Sequence, residues 1–75
     1  MNAKEQHELK TLPREMEKLT AEVARLDAQM ADAGFYTRDP IGFRKASEAL
    51  GKAQASLAAA EERWLELELL REEAG

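Results

Sequence analysis

Two pairs of cations in the 75-residue chain repeat at the heptad interval: Lys18 with Arg25, and Lys45 with Lys52. Seven residues are two helical turns, so each pair shares a face, with its charges roughly 10 Å apart along the axis. Arg14 lies one turn before Lys18, Arg44 adjoins Lys45, and Arg38 precedes both in a stretch that interrupts the helical pattern. Rows of cations on helices are suited to phosphate contact. The chemistry they suggest is discontinuous tracking of a nucleic-acid backbone, steeply salt-dependent and indifferent to base sequence. The plainer alternative for such rows is a solvated helix face.

Other chemistries find less support. His7 is the sole histidine and there is no cysteine, so no metal-ligand set is visible. The carboxylates form no isolated pair in an apolar setting of the kind acid–base catalysis needs. Glu61 and Glu62 are neighbours on a helical stretch and point to different sides. No Gly-x-x-x-x-Gly-Lys-Ser/Thr loop is present to cradle phosphates. A non-enzymatic chain without a cofactor of its own is expected. Trp64 could stack on a base, but it falls on an apolar seam and is assigned to the core. Tyr36 and Arg38 are the candidates for a projecting contact.

The elements that position these groups are organised around Gly34-Phe35-Tyr36-Thr37-Arg38-Asp39-Pro40. On its N-terminal side, apolar residues fall at Leu9, Leu12, Met16, Leu19, Val23, Leu26 and Met30. On its C-terminal side they fall at Phe43, Ala46, Leu50, Ala53, Leu57, Ala60, Trp64 and Leu67. Both runs step by three and four, the seam of a coiled coil. Folding the chain at the central stretch pairs Met30 with Phe43, Leu26 with Ala46, Val23 with Leu50 and Leu19 with Ala53. Met16 then meets Leu57, Leu12 meets Ala60, and Leu9 meets Trp64. The fold class predicted is all-α, an antiparallel two-helix coiled-coil hairpin. The leucine-on-alanine layers allow close approach, and they fix register because a slip would stack alanine on valine or methionine.

Boundary signals divide this hairpin further. Pro13 removes the hydrogen bond to the Leu9 carbonyl, which predicts a short N-terminal helix over about residues 4–11 and a long one over about 13–33. Gly34 is placed as a left-handed residue past the helix end, with Phe35 turned back toward Met30. A tip loop over 34–39 follows, and Asp39-Pro40 caps and starts a helix over about 40–73. The antiparallel register brings Glu8 near Arg63. Leu65, Leu69 and Leu70 fall off the seam. The short N-terminal helix folding over the open end, with Leu9, Leu12 and Pro13 against Trp64, would cover them. A larger protein or a second copy is the alternative cover.

Charge is 35% of the residues with a net of −4, an acidic balance unlike that of most dedicated nucleic-acid binders. Its distribution is polarised, at −2 over residues 1–35, +2 over 36–60 and −4 over 61–75. The tip is therefore basic and the open end acidic. No apolar run approaches the roughly 20 residues of a membrane span, and no secretory leader is visible, so no membrane partner and a cytoplasmic location are expected.

Three stretches together resemble one family. They are Lys4-Glu5-Gln6-His7-Glu8-Leu9 with Leu12-Pro13, then Tyr36-Thr37-Arg38-Asp39-Pro40, then Glu61-Glu62-Arg63-Trp64-Leu65-Glu66-Leu67-Glu68. Their order and spacing are similar to the C-terminal coiled-coil domain of Uup-type ABC-F ATPases, and the resemblance covers nearly the whole chain. It implies a bacterial parent protein with two ATPase domains that use ATP and Mg, no membrane-spanning part, and this hairpin as an appendage. It implies DNA or ribosomal RNA as ligand, and the ATPase domains of the same chain as partners. Arg14, Lys18, Arg25, Arg38, Arg44, Lys45 and Lys52 are the candidate nucleic-acid contacts. The contrasting reading is a protein-interaction or dimerisation coiled coil that docks on the ATPase core, a ribosomal protein or its own copy. A monomer is the expected state, with a dimer swapped through an opened tip as the variant.

Overall fold

The computed structural model of the chain describes residues 1–74. Two long helices, α1 (Ala3–Met30) and α3 (Pro40–Ala74), run antiparallel and pack along their length, with a single-turn α2 (Phe35–Arg38) at the tip. The result is a rod of 55 × 15 × 14 Å. Every residue placed on the seam from the 3–4 spacing is buried or half-buried, and the six buried side chains are Leu12, Leu26, Ala46, Ala53, Ala60 and Leu67. Three of these are the seam alanines Ala46, Ala53 and Ala60, whose small side chains let the helices approach closely. Leu67 is fully enclosed, in a cluster with Leu12 and Ala60 that Leu9, Met16 and Trp64 complete. Removing a leucine side chain from water to that degree contributes roughly 1.5–3 kcal/mol.

The N-terminal region departs from expectation. No separate helix over 4–11 exists, because α1 passes through Pro13 without interruption. Two things offset the roughly 3 kcal/mol that an interior proline costs. The first is a capping box at the start. Asn2 Oδ1 accepts the Glu5 backbone N–H at 2.8 Å, and Glu5 Oε1 accepts the Asn2 backbone N–H at 3.1 Å. The second is packing. Leu9 and Leu12, which precede Pro13, and Met16, which follows it, all join the cluster around Leu67. The first turns therefore extend the hairpin instead of folding over its end. Leu65, Leu69 and Leu70 stay exposed, at 55%, 52% and 40%.

The tip also differs in detail. α1 ends at Met30, short of Ala33, and the expected loop contains α2. Gly34 is not left-handed; its φ is −87° and its ψ −8°. Asp32 performs the reversal instead, its Oδ1 accepting the Gly34 N–H at 3.0 Å. Phe35 packs edge-on against Phe43 with ring centroids 5.6 Å apart, and Tyr36 does the same at 5.2 Å. The start of α3 follows the sequence. Asp39 Oδ1 accepts the Gly42 N–H at 2.9 Å, with Pro40 at the first helical position.

Candidate nucleic-acid interface

Helical rotation of about 100° per residue sorts the cations into places. Lys18, Arg25, Lys45 and Lys52 share one heptad position, each a single residue ahead of a seam residue (Leu19, Leu26, Ala46, Ala53). Glu8 and Arg63, which touch across the hairpin, mark the edge on which that position lies. The four cations thus stand along one edge of the rod, two from each helix. Glu15 and Glu22 share this edge, so the basic row is interleaved with acid. Arg14 falls on the back of α1, and Arg44 on the opposite edge of α3. The fold brings four of the seven candidates onto one edge and leaves Arg14, Arg38 and Arg44 outside it.

All seven side chains are exposed. Pairing separates most of them from Arg63 and Arg71 of α3, though not from Lys4 and Lys10 at the open end, which have no ion-pair partner among the described residues. Arg63 is held by Glu8 at 2.9 Å and by Glu66 at 3.1 Å, and Arg71 by Glu68. Those partners raise the Arg63 pKa, Glu8 contributing most, while the Arg63 hydrogen bonds lower that of Glu8. Among the described residues, Arg14, Lys18, Arg25, Arg44, Lys45 and Lys52 have no carboxylate within ion-pair distance. Arg38 is different. Its Nη2 donates to Asp32 Oδ2 at 2.5 Å, and this bond, with the Gly34 N–H second, lowers the Asp32 pKa. A Cβ on Gly34 would lie 2.5 Å from the guanidinium, the end of a flexible side chain that can give way. Arg38 is therefore a tip clamp as well as a surface cation.

Sequence reading missed the Asp32–Arg38 clamp, although an aspartate two residues ahead of a glycine is the signal for such a side-chain turn. It also missed a shallow groove of about 440 Å³ beside the clamp, lined by Tyr36, Pro40, Ile41, Phe43, Arg44 and Ser47. Tyr36 and Ile41 are each 62% exposed there. Trp64 lies in the core cluster, in agreement with its seam position.

Among the described residues, no helix is long and apolar enough to cross a membrane. No curated protein and no solved structure matches the chain. One protein family does match, over residues 1–69, a range that takes in the tip and nearly all of both long helices. Domains of this kind are appendages and not themselves catalytic. The chain belongs to the ABC transporter C-terminal domain family.

Proposed function

We propose that this hairpin is the C-terminal appendage of a Uup-type ABC-F ATPase and that it binds nucleic acid, either DNA or RNA on the ribosome, without sequence preference. The observation that carries this reading is a shared edge of exposed, unpaired cations. Glutamates hold Arg63 and Arg71 of α3, whereas Lys18, Arg25, Lys45 and Lys52 share an edge and stand unpaired among the described residues. Unpaired exposed cations keep their full charge for phosphate, and each contact would release counterions from the nucleic acid. ATP and Mg would act in the ATPase domains of the parent chain, and the compartment would be the cytoplasm.

A second reading is supported by the exposed Leu65, Leu69 and Leu70, which suit docking on the ATPase core or a ribosomal protein. An NMR titration with short duplex DNA and with a ribosomal RNA fragment, each at two salt concentrations, separates the two. Salt-sensitive shifts along Lys18, Arg25, Lys45 and Lys52 are expected from phosphate tracking. Unchanged spectra with both ligands at low salt would overturn direct binding by this hairpin and leave the docking reading.

A further inference from the structure

α3 is apolar on two sides. Opposite its seam runs a second stripe at the same four-and-three spacing: Gly51, Ala55, Ala58, Glu62, Leu65 and Leu69. Every one of these is exposed, and the two leucines are more than half accessible. A helix that needs only one partner has a polar back. Gly51 adds an independent sign. A Cβ there would meet nothing within 4 Å, so nothing inside the hairpin requires glycine. Yet glycine in a helix interior costs about 0.5–1 kcal/mol relative to alanine. Without a side chain, Gly51 leaves a gap on the outer surface of the helix.

We infer that this face pairs with the same face of a second copy, antiparallel, giving a weak two-fold dimer of intact hairpins. Charge along one edge and side-chain size argue for the occupant and the direction, against one like-charge pair that the same register sets together, Glu48 with Glu72 of the second copy. One edge of the stripe carries Lys45, Lys52, Ala59, Glu66 and Glu73, basic at its start and acidic at its end. Reversing a copy against itself sets Lys45 beside Glu73 of the second copy, Lys52 beside Glu66, and Ala59 on Ala59 near the two-fold axis. In the same register Leu69 covers Gly51 of the second copy, and Leu65 covers Ala55. This large-on-small alternation is the one the sequence predicts for the seam between α1 and α3. In a parallel two-fold pairing the Lys45–Glu73 edges of the two copies would lie on opposite sides of the interface, and none of these charge pairs could form. Glu61 and Glu62 crowd the axis with negative charge and hold the association weak. The dimer departs from the monomer expected from sequence, and it requires no opening of the tip.

The chain contains no cysteine among its residues, so introduced thiols report proximity cleanly. Sedimentation equilibrium from micromolar to millimolar concentration should show reversible dimerisation. Leu65→Glu with Leu69→Glu should weaken it by about tenfold or more, because both leucines lose their burial, while far-UV circular dichroism stays helical. Glu62→Leu should strengthen it. Lys45→Glu with Lys52→Glu should also weaken it, and adding Glu66→Lys and Glu73→Lys should restore it. Under oxidation, Ala59→Cys should form a disulfide-linked dimer and Lys52→Cys should not. A mixture of Lys52→Cys and Glu66→Cys chains should give the mixed product.

A mass that stays monomeric at millimolar concentration would overturn the inference. So would a dimer that survives Leu65→Glu with Leu69→Glu, which would point to tip swapping. Cross-linking at Lys52→Cys alone would overturn the antiparallel register. The dimer would engage Lys45 and Lys52 and so compete with phosphate at those two residues; all of these outcomes are read in the absence of nucleic acid.

Discussion

Glu8 and Arg63 lie 55 residues apart in the chain, yet two hydrogen bonds join them. Arg63 Nε donates to Glu8 Oε2 at 2.9 Å, and Nη2 donates to Oε1 at 3.2 Å. This two-point contact lies beside the cluster that holds both Leu9 and Trp64, so it ties the register of the hairpin to a specific pair of side chains. A slip of one layer would part them.

Acidification should loosen this tie. The Glu8 carboxyl titrates below its ordinary value, first because of the Arg63 hydrogen bonds. A group whose folded-state pKa is depressed contributes stability that is present above its unfolded pKa of about 4.3 and is lost as pH falls through the folded value. Asp32, lowered by Arg38, acts in the same direction at the other end of the rod. Thermal unfolding followed between neutral and strongly acidic pH should fall less steeply in Glu8→Gln and in Asp32→Asn than in the parent. Parallel curves would show that neither pair matters in solution.

Core substitutions should be sharply position-dependent. Leu67→Ala removes the fully enclosed side chain and should cost about 2–5 kcal/mol. The exposed neighbour two positions earlier is a matched control, and Leu65→Ala should stay within about 0.5 kcal/mol in dilute solution. Ala53→Leu tests the opposite fault. It would overfill a closed small-on-large layer and should cost about 1–3 kcal/mol. Chemical denaturation of the three variants distinguishes these effects.

Pro13→Ala should stabilise the protein. The proline stands inside α1, where it withholds one backbone hydrogen bond at a cost of about 3 kcal/mol. It also stiffens the unfolded chain, which returns about 0.4–1 kcal/mol. The net expectation is a clear rise in melting temperature. No rise would mean that the surrounding helix has already bent to accommodate the ring.

Salt dependence should divide the basic residues. If Lys45 and Lys52 each contact a phosphate, replacing either with alanine should reduce the slope of log affinity against log salt by about one. Arg38→Ala should reduce it less, because its guanidinium is engaged with Asp32. Its larger effect should be on tip stability. Equal slopes for all three would place the contacts elsewhere.

The hairpin was legible because its information is periodic. Steps of three and four on both sides of one break specify a seam, a direction and a register, and the Glu8–Arg63 contact follows from that register. Local exceptions were harder to read. Pro13 suggested a break because an isolated helix would break there. What carries α1 through it is packing by Leu9, Leu12 and Met16 onto residues some 50 positions away. Asn2 and Glu5 held the opposing signal, a capping box that marks a helix start well before the proline. At Gly34 the rule that glycine turns left-handed at a helix end failed because Asp32 and Arg38 close the turn by side-chain hydrogen bonds. The cations were legible as residues but not as a surface. Only the fold shows that four of them share an edge and that Arg38 is engaged by Asp32.

The slenderness of the rod has a mechanical consequence. Buried alanines on the seam keep the two helices close together, and the first residues of α1 lie beside the last turns of α3, toward the other end of the 55 Å rod from the clustered aromatic rings of the tip. An object of this shape, gripped at its open end, is a lever. A slight pivot at the grip becomes a wide sweep at the far end, and a push on the far end returns as torque at the grip. The capping box, the Glu8–Arg63 contact and the Leu67 cluster all sit where that torque would be felt.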